Sequence, residues 1–306
     1  MSSQPHRSGF VSIVGRPNAG KSTLLNTLLG TKLAIVADKP QTTRTVIQGV
    51  LTEPGAQIVF LDTPGIHEAK TLLHQRMLES IRQAMEDRDL ILFLADATRA
   101  PGPLDDQALE WIRDVKAPVL LVLNKVDLLS NKAAMLPVLE AYQGKRDFEA
   151  FIPISALNGD LGPLKAEILK RLPEGPAYFP EDHLTDLPEK FLAAEFIREK
   201  ILHATREEVP HSVAVVIDVW KEEPRKKGGV LTRILATIHV EREGQKRILI
   251  GQGGSLLKQI GTEARLEMER LLDRKIFLEL FVRVTEDWRQ RAQFLNELDQ
   301  SRQAGE

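Results

Sequence analysis

An apolar, partly β-branched run, Phe10-Val-Ser-Ile-Val-Gly15, leads directly into Gly15-Arg-Pro-Asn-Ala-Gly-Lys-Ser22 and then into a segment of helical spacing, Lys21–Leu29. This order of strand, glycine loop and helix fits the pattern G-x-x-x-x-G-K-[ST]. The two glycines let the backbone curl so that successive N–H groups converge at a helix N-terminus, a natural seat for an anion. Lys21 is spaced to reach the terminal phosphates of a nucleotide, and Ser22 to ligate Mg²⁺. The plain alternative is a glycine turn that happens to precede Lys-Ser. The candidate phosphate contacts are therefore Gly15, Arg16, Pro17, Asn18, Ala19, Gly20, Lys21, Ser22 and Thr23.

Two further motifs narrow the ligand. Asp62-Thr63-Pro64-Gly65 closes the strand Gln57–Asp62, so Asp62 falls at the carboxyl edge of a sheet, where such folds bind ligands. A carboxylate there can hold Mg²⁺ through water, and the Gly65 amide can face a γ-phosphate. Asn124-Lys-Val-Asp127 closes another strand. The Asp127 carboxylate can accept from two donors on one edge, as the N1–H and 2-amino group of guanine require. Adenine lacks both donors and would leave the carboxylate unpaired, at a cost of about 1–3 kcal/mol or more. Lys125 can lie along the base and Asn124 can tie its loop to the phosphate loop. After the next strand, Ser155-Ala156 supplies a turn whose Ala156 amide is placed for guanine O6.

The rest of residues 1–175 alternates strands (Leu90–Asp96, Pro118–Lys125, Phe151–Ser155) with helical segments (Leu72–Met85, Asp105–Val115, Ala133–Tyr142, Leu161–Leu172). That alternation predicts an α/β domain with a mostly parallel sheet and helices on both faces. Glu174-Gly-Pro-Ala-Tyr-Phe-Pro180 breaks the pattern, so 176–188 reads as a linker and 189–306 as a second, small α+β domain. There a helix, Glu189–Ala204, precedes strands Val213–Lys221 and Leu231–Val240. Two helices flank Gly251-Gln-Gly-Gly254, and a strand, Ile276–Val284, and a C-terminal helical stretch follow.

Composition supplies exclusions. The chain has no cysteine, which removes thiol catalysis and thiolate metal sites, and its formal charge of −2 announces no global basic field. Residues 221–283 nonetheless carry 14 basic against 9 acidic groups. No apolar run approaches the roughly 20 residues of a membrane span, and the start has no apolar core of signal-peptide length before the polar loop. The expected location is cytoplasmic.

The order and spacing of these motifs match the small GTPases. Ala37-Asp-Lys-Pro-Gln-Thr-Thr-Arg44, Asp62-Thr-Pro-Gly-Ile-His67, Pro180-Glu-Asp-His-Leu-Thr-Asp186 and Phe191-Leu-Ala-Ala-Glu195 narrow the match. Together they resemble the Era family of bacterial ribosome-assembly GTPases, within the TrmE-Era-EngA-like superfamily, from Phe10 to about Trp288. The resemblance implies GTP hydrolysis with Mg²⁺, GTP and GDP as ligands, and a P-loop GTPase domain followed by a KH-type RNA-binding domain. It further implies recognition of the 3′ end of 16S ribosomal RNA and action in small (30S) subunit assembly. A monomer is expected, and a peripheral contact with the inner membrane face rests on family resemblance only. The competing reading is a related GTPase of tRNA modification or signalling whose C-terminal domain binds protein. By the family pattern Thr43 is the switch threonine that ligates Mg²⁺ beside Ser22 and Asp62; adjacent Thr42 is the alternative.

KH domains clamp about four nucleotides with a GxxG loop between two helices, here Gly251, Gln252, Gly253 and Gly254. The family usually has a lysine where this chain has Gln252, which removes one cation from the clamp. Lys258, Arg225, Lys226 and Lys227 are candidate compensations. Many GTPases orient the attacking water with a Gln after the Asp62–Gly65 motif; here Ile66 stands there, followed by His67. No catalytic base is identified, and turnover is expected to be slow, on the order of 10⁻⁴–10⁻² s⁻¹. Some GTPases with an apolar residue at that place hold K⁺ beside the phosphates through an Asn three residues before the P-loop lysine. Asn18 occupies that position, with switch carbonyls near Asp38 and Pro40 as further ligands. K⁺ is thus a candidate second cofactor and Asn18 a candidate charge stabiliser.

Overall fold

The protein, seen in a computed structural model, is described over residues 6–65, 70–207, 209–225 and 228–303. It divides into two compact units. The first takes in Met1–Val36, Thr43–Lys70 and His74–Asp186, and the second Ala37–Thr42, Thr71–Leu73 and Leu187–Glu306.

The first unit is built on strands β1 (Arg7–Val14), β2 (Ile47–Glu53), β3 (Ala56–Asp62), β4 (Leu90–Asp96), β5 (Val119–Asn124) and β6 (Ala150–Pro153), in the order β2-β3-β1-β4-β5-β6. Helices α1 (Lys21–Leu29), α2 (Leu72–Met85), α3 (Pro103–Trp111), α4 (Leu136–Gln143) and α5 (Gly162–Arg171) connect them. β3, β4 and β5 are buried at every position, as near-continuous apolar strands covered on both faces must be. β1 pairs in parallel with both β3 and β4, so the chain order reverses around it and its carboxyl end becomes the ligand crevice of such sheets. The register makes this concrete: Ile13 lies beside Asp62, and Asp96 beside Asn124.

Strand β2 was absent from the sequence expectation. It pairs antiparallel with β3 at the sheet edge, and its segment, Ile47-Gln-Gly-Val-Leu-Thr-Glu53, has neither an apolar run nor alternation. Gly49 is there for contact: a Cβ would fall 2.5 Å from Leu29 Cδ1 of α1.

The stretch after α5 is fastened to the first unit rather than loose. Fully buried Gln57 accepts at Oε1 from the amides of Tyr178 (2.7 Å) and Phe179 (2.9 Å) and donates from Nε2 to the Phe179 carbonyl (2.9 Å). Further on, the Val50 amide donates to Leu184 (2.8 Å) and Thr185 Oγ1 to Gln48 (2.6 Å). A pattern-breaking, proline-rich segment is thus held by three part-buried bonds to one glutamine.

The second unit contains α6 (Glu189–Ala204), β7 (Ala214–Pro224), β8 (Val230–Val240), α7 (Glu243–Ile250), α8 (Ser255–Leu272), β9 (Lys275–Val284) and α9 (Ala292–Gln303). The sheet order is β7-β8-β9, with β7 antiparallel and β9 parallel to β8. Two parallel strands need a crossover, and α7, the GxxG loop and α8 form it. α6 is buried nearly all round, which explains its weak one-sidedness in sequence; even Lys200 is inside, paired with Glu199 (3.0 Å) and Glu267 (2.9 Å). Trp288 is fully buried and donates to the Ser212 carbonyl at 2.8 Å.

Candidate functional site

The phosphate loop runs from the end of β1 to the start of α1, and its shape needs its glycines. Gly15 and Gly20 have φ of 154° and 99°. A Cβ on Gly15 would lie 2.4 Å from the Leu94 carbonyl oxygen, and one on Gly20 2.3 Å from Asn124 Nδ2. Within the loop, buried Lys21 donates to the carbonyls of Gly15 and Arg16, both at 3.0 Å. Burial pushes the Lys21 ammonium down to about 8, against the pull of Asp62. Burial likewise pushes the Asp62 carboxyl up to about 6, against Lys21 and the Ser22 and Thr43 hydroxyls. An anion beside Lys21 and a cation beside Asp62 would each favour the charged form.

Ser22 Oγ donates to Asp62 Oδ2 at 2.6 Å and lies 2.8 Å from Thr43 Oγ1. Among the described residues, Asp62 Oδ1 is buried without a hydrogen-bond partner. Three hard oxygen donors in mutual contact, one with a lone pair unclaimed, are what Mg²⁺ takes together with water and phosphate oxygens, so these residues fit the ion. Of the two threonines left open by sequence, Thr43 is the one beside Ser22. Thr42 Oγ1 instead donates to the carbonyls of Ala37 (3.1 Å) and Lys39 (2.6 Å). Thr63 Oγ1 donates to Ile13 (2.8 Å), and Gly65 lies so close to the phosphate loop that a Cβ would meet Pro17 Cα at 2.8 Å. Ile66 and His67 lie outside the described residues, as do Lys226 and Lys227.

Asn124 joins two loops: Nδ2 donates to the Ala19 carbonyl and Oδ1 accepts from the Ala156 amide, both at 2.8 Å. That amide, expected to meet guanine O6, is already engaged, because buried Asn124 needs an acceptor's partner of its own. Ser155 Oγ accepts from the Asn158 amide at 3.2 Å and closes the turn. Asp127 stands exposed in a short 3₁₀ turn, Val126–Leu128, where a base edge can reach it. Lys125 has φ of 69° and sends Nζ to Asp96 Oδ2 at 2.8 Å. Asp96 also takes Arg16 Nη2 at 3.0 Å; sequence reasoning assigned it no role, although it ends a strand level with Asn124.

In the second unit, Gly251, Gly253 and Gly254 have φ of 71°, 59° and 80°. A Cβ on Gly251 would strike Leu256 Cβ at 2.8 Å, whereas Gly253 and Gly254 face open space. Behind the loop lies a groove of about 360 Å³ lined by Gly254, Lys258, Gly261, Arg265, Leu278 and Leu280, among others. Lys258 and Arg265 are seven residues apart, two turns on one face of α8; that spacing was the missed signal for Arg265. Arg225 sits elsewhere. It lies in the β7–β8 hairpin, next to the end where Leu231 pairs with Lys275. α8 reaches that end with its last residue, and its 18 residues span about 27 Å. Arg225 is thus remote from the GxxG loop.

A sequence-family profile described as 50S ribosome-binding GTPase matches residues 10–125, and a KH domain profile matches 208–289. The GTPase Era of Geobacter metallireducens is 52% identical over 299 residues, spanning 97% of this chain and 99% of its own. The chain belongs to the Era family of GTPases. The Era of Heliobacterium modesticaldum is 50% identical over 94% of this chain and 95% of its own. Among solved structures, a variant of Aquifex aeolicus Era bound to GDP·AlF₄⁻ matches with a TM-score of 0.91 and 45% identity, over 95% of this chain and 98% of that one. Era in complex with MgGDPNP and nucleotides 1506–1542 of 16S ribosomal RNA matches with a TM-score of 0.91 and 44% identity, over 96% and 98%. The family fold is that expected from sequence: a P-loop GTPase domain with a mostly parallel sheet, then a KH domain. The activity is GTP hydrolysis.

The position of the two threonines yields a test. Thr43→Val should weaken Mg²⁺-dependent binding of a non-hydrolysable GTP analogue about tenfold or more, by loss of a charge-assisted contact. GDP affinity should stay within about twofold, and Thr42→Val should cost either nucleotide less than about threefold. Titration of fluorescent nucleotides with and without Mg²⁺ measures both; equal effects of the two substitutions would contradict the assignment.

Proposed function

We propose that this chain is a GTP-driven switch that binds the 3′ end of 16S ribosomal RNA through its GxxG groove and acts in assembly of the small (30S) subunit. The observation that carries this reading is the groove beside Gly254, lined by Leu278 and Leu280 and by the cations Lys258 and Arg265, with Glu279 also on its lining. Open glycines let a phosphate backbone come close, and a half-apolar groove accepts unstacked bases. The solved Era complex with 16S nucleotides supports the choice of RNA. The reading includes a monomer in the cytoplasm and a peripheral contact with the inner membrane face, the last on family resemblance alone. Among the described residues no helix is long and apolar enough to cross a membrane.

In the nucleotide site, the loop amides of Gly15–Thr23 and Lys21 hold the β- and γ-phosphates, Ser22 and Thr43 ligate Mg²⁺, and Asp62 holds it through water. The ion supplies neutralisation of charge between the phosphates during transfer. Lys125 covers the base and Asp127 reads its edge. Charge stabilisation is assigned to Asn18 through K⁺. Asn18 is exposed, at φ 61°, and its side chain makes no hydrogen bond among the described residues, so a role tying down the loop backbone gains no support. Exchanging NaCl for KCl at constant ionic strength should raise the hydrolysis rate severalfold, and Asn18→Ala should erase the difference; equal rates in both salts would sink the K⁺ assignment.

The RNA reading is tested by charge at one atom-sized gap. Gly253 faces open space at a φ that Asp and Asn both tolerate. Gly253→Asp should reduce affinity for a 16S 3′-end oligonucleotide by about 100-fold or more through repulsion of phosphate. Gly253→Asn should retain most of it, and both should bind GTP as the parent does. Unchanged RNA affinity in the Asp variant would place the clamp elsewhere.

A further inference from the structure

Asp96 ends β4 with all four of its acceptor positions in use. Oδ1 accepts from the Thr98 amide (3.0 Å) and the Thr98 hydroxyl (2.6 Å). Oδ2 accepts from Lys125 Nζ (2.8 Å) and Arg16 Nη2 (3.0 Å). The first pair forms a turn that fixes the carboxylate plane. The second brings together a lysine from the base-binding loop and an arginine from the phosphate loop. Behind them Arg16 Nε approaches Asp105 at 3.6 Å, and Asp105 is held by the hydroxyl of buried Tyr142 at 2.9 Å. Burial alone would raise the Asp96 pKa, but the bonds from Lys125 and Thr98 outweigh it and hold the carboxyl below the ordinary range.

A buried ion pair is weak evidence of stabilisation in itself, since desolvation offsets its attraction. What this one supplies is orientation. Lys125 stands at a backbone angle that bulky residues rarely adopt, and its long side chain would otherwise sample many rotamers. We infer that Asp96 is a positioning residue for guanine nucleotide: it fixes Lys125 where the base must lie and locks the base loop to the phosphate loop through Arg16. Its four hydrogen bonds all go to the protein, so it would act on the nucleotide through Lys125 and Arg16. It orders Lys125 before the ligand arrives, so the ligand bears less of that ordering cost.

This inference rests on Lys125 lying along the base, and the test separates the two. Asn at 96 has the same shape but one oxygen and one NH₂, so it cannot accept on both sides. In the full chain, Asp96→Asn should weaken GDP and GTP binding at least tenfold, read by titration and by release of a fluorescent GDP. The single-turnover rate at saturating GTP should stay within twofold, because base contacts are alike in ground and transition states. In a Lys125→Ala background the same change should cost less than threefold. Thr98→Val, which removes one bond to Oδ1, should show the same coupling at a smaller size, threefold or more, and it serves if Asp96→Asn does not fold. Undiminished affinity in Asp96→Asn or Thr98→Val beside a weakened Lys125→Ala would overturn the inference alone. So would equal losses in both backgrounds. Undiminished affinity in Lys125→Ala would overturn the base-stacking reading and the inference with it.

Discussion

Parallel pairing across β3, β1, β4 and β5 brings four strands to a common edge, and the nucleotide site depends on that register. Ile13 beside Asp62 and Asp96 beside Asn124 bring the phosphate loop, the metal carboxylate and the base loop together from segments more than a hundred residues apart in sequence. No single motif could do this. A one-residue slip in β3 would turn Asp62 to the opposite face and put a leucine or threonine next to Ser22. Apolar burial on both faces of the strands is what holds the register, so core residues such as Val11, Ile13, Leu92 and Phe93 act on the chemistry without approaching it.

Two buried charge clusters sit on this edge and behave differently. Lys21 and Asp62 are each pushed toward neutrality by burial, and among the described residues Asp62 keeps an oxygen without a partner. Groups shifted by burial beside a specific charge partner are characteristic of working sites. Arg16, Asp96, Asp105 and Lys125 form a cluster with its bonds mostly closed. On the reading proposed above, one cluster would bind a metal-bound phosphate and the other would hold the frame around it. In the KH domain the same division recurs in simpler form: Gly251 is fixed by contact with Leu256, while Gly253 and Gly254 are left open.

The parts of this arrangement legible in the sequence are those where function is local. Gly15–Ser22, Asp62–Gly65, Asn124–Asp127 and Gly251–Gly254 are each a short stretch whose backbone shape and side chains do the work together. What escaped reading is pairwise over long distances. Strand β2 carries no period of its own and is defined by pairing with β3. Asp96 matters only because Arg16 and Lys125 arrive from elsewhere. Thr43 differs from Thr42 only in which neighbour it meets, Ser22 or the carbonyls of Ala37 and Lys39. Ala156 looked free to meet a base because nothing in sequence shows that Asn124 already takes its amide. Arg225 was a candidate compensating cation on charge composition, and the length of α8 sets it apart from the loop.

On the proposed reading, one sheet edge assembles a guanine-reading, magnesium-dependent polyphosphate site from Lys21, Ser22, Asp62 and Asp127. Competition of GTP and ATP against a bound fluorescent GDP, with Mg²⁺ and then with chelator, measures it directly. GTP should bind at least about 10³-fold tighter than ATP, since a site built to pair with base donors rejects a base lacking them. Chelation should weaken GTP strongly. ATP competing as well as GTP, or GTP binding indifferent to Mg²⁺, would contradict it.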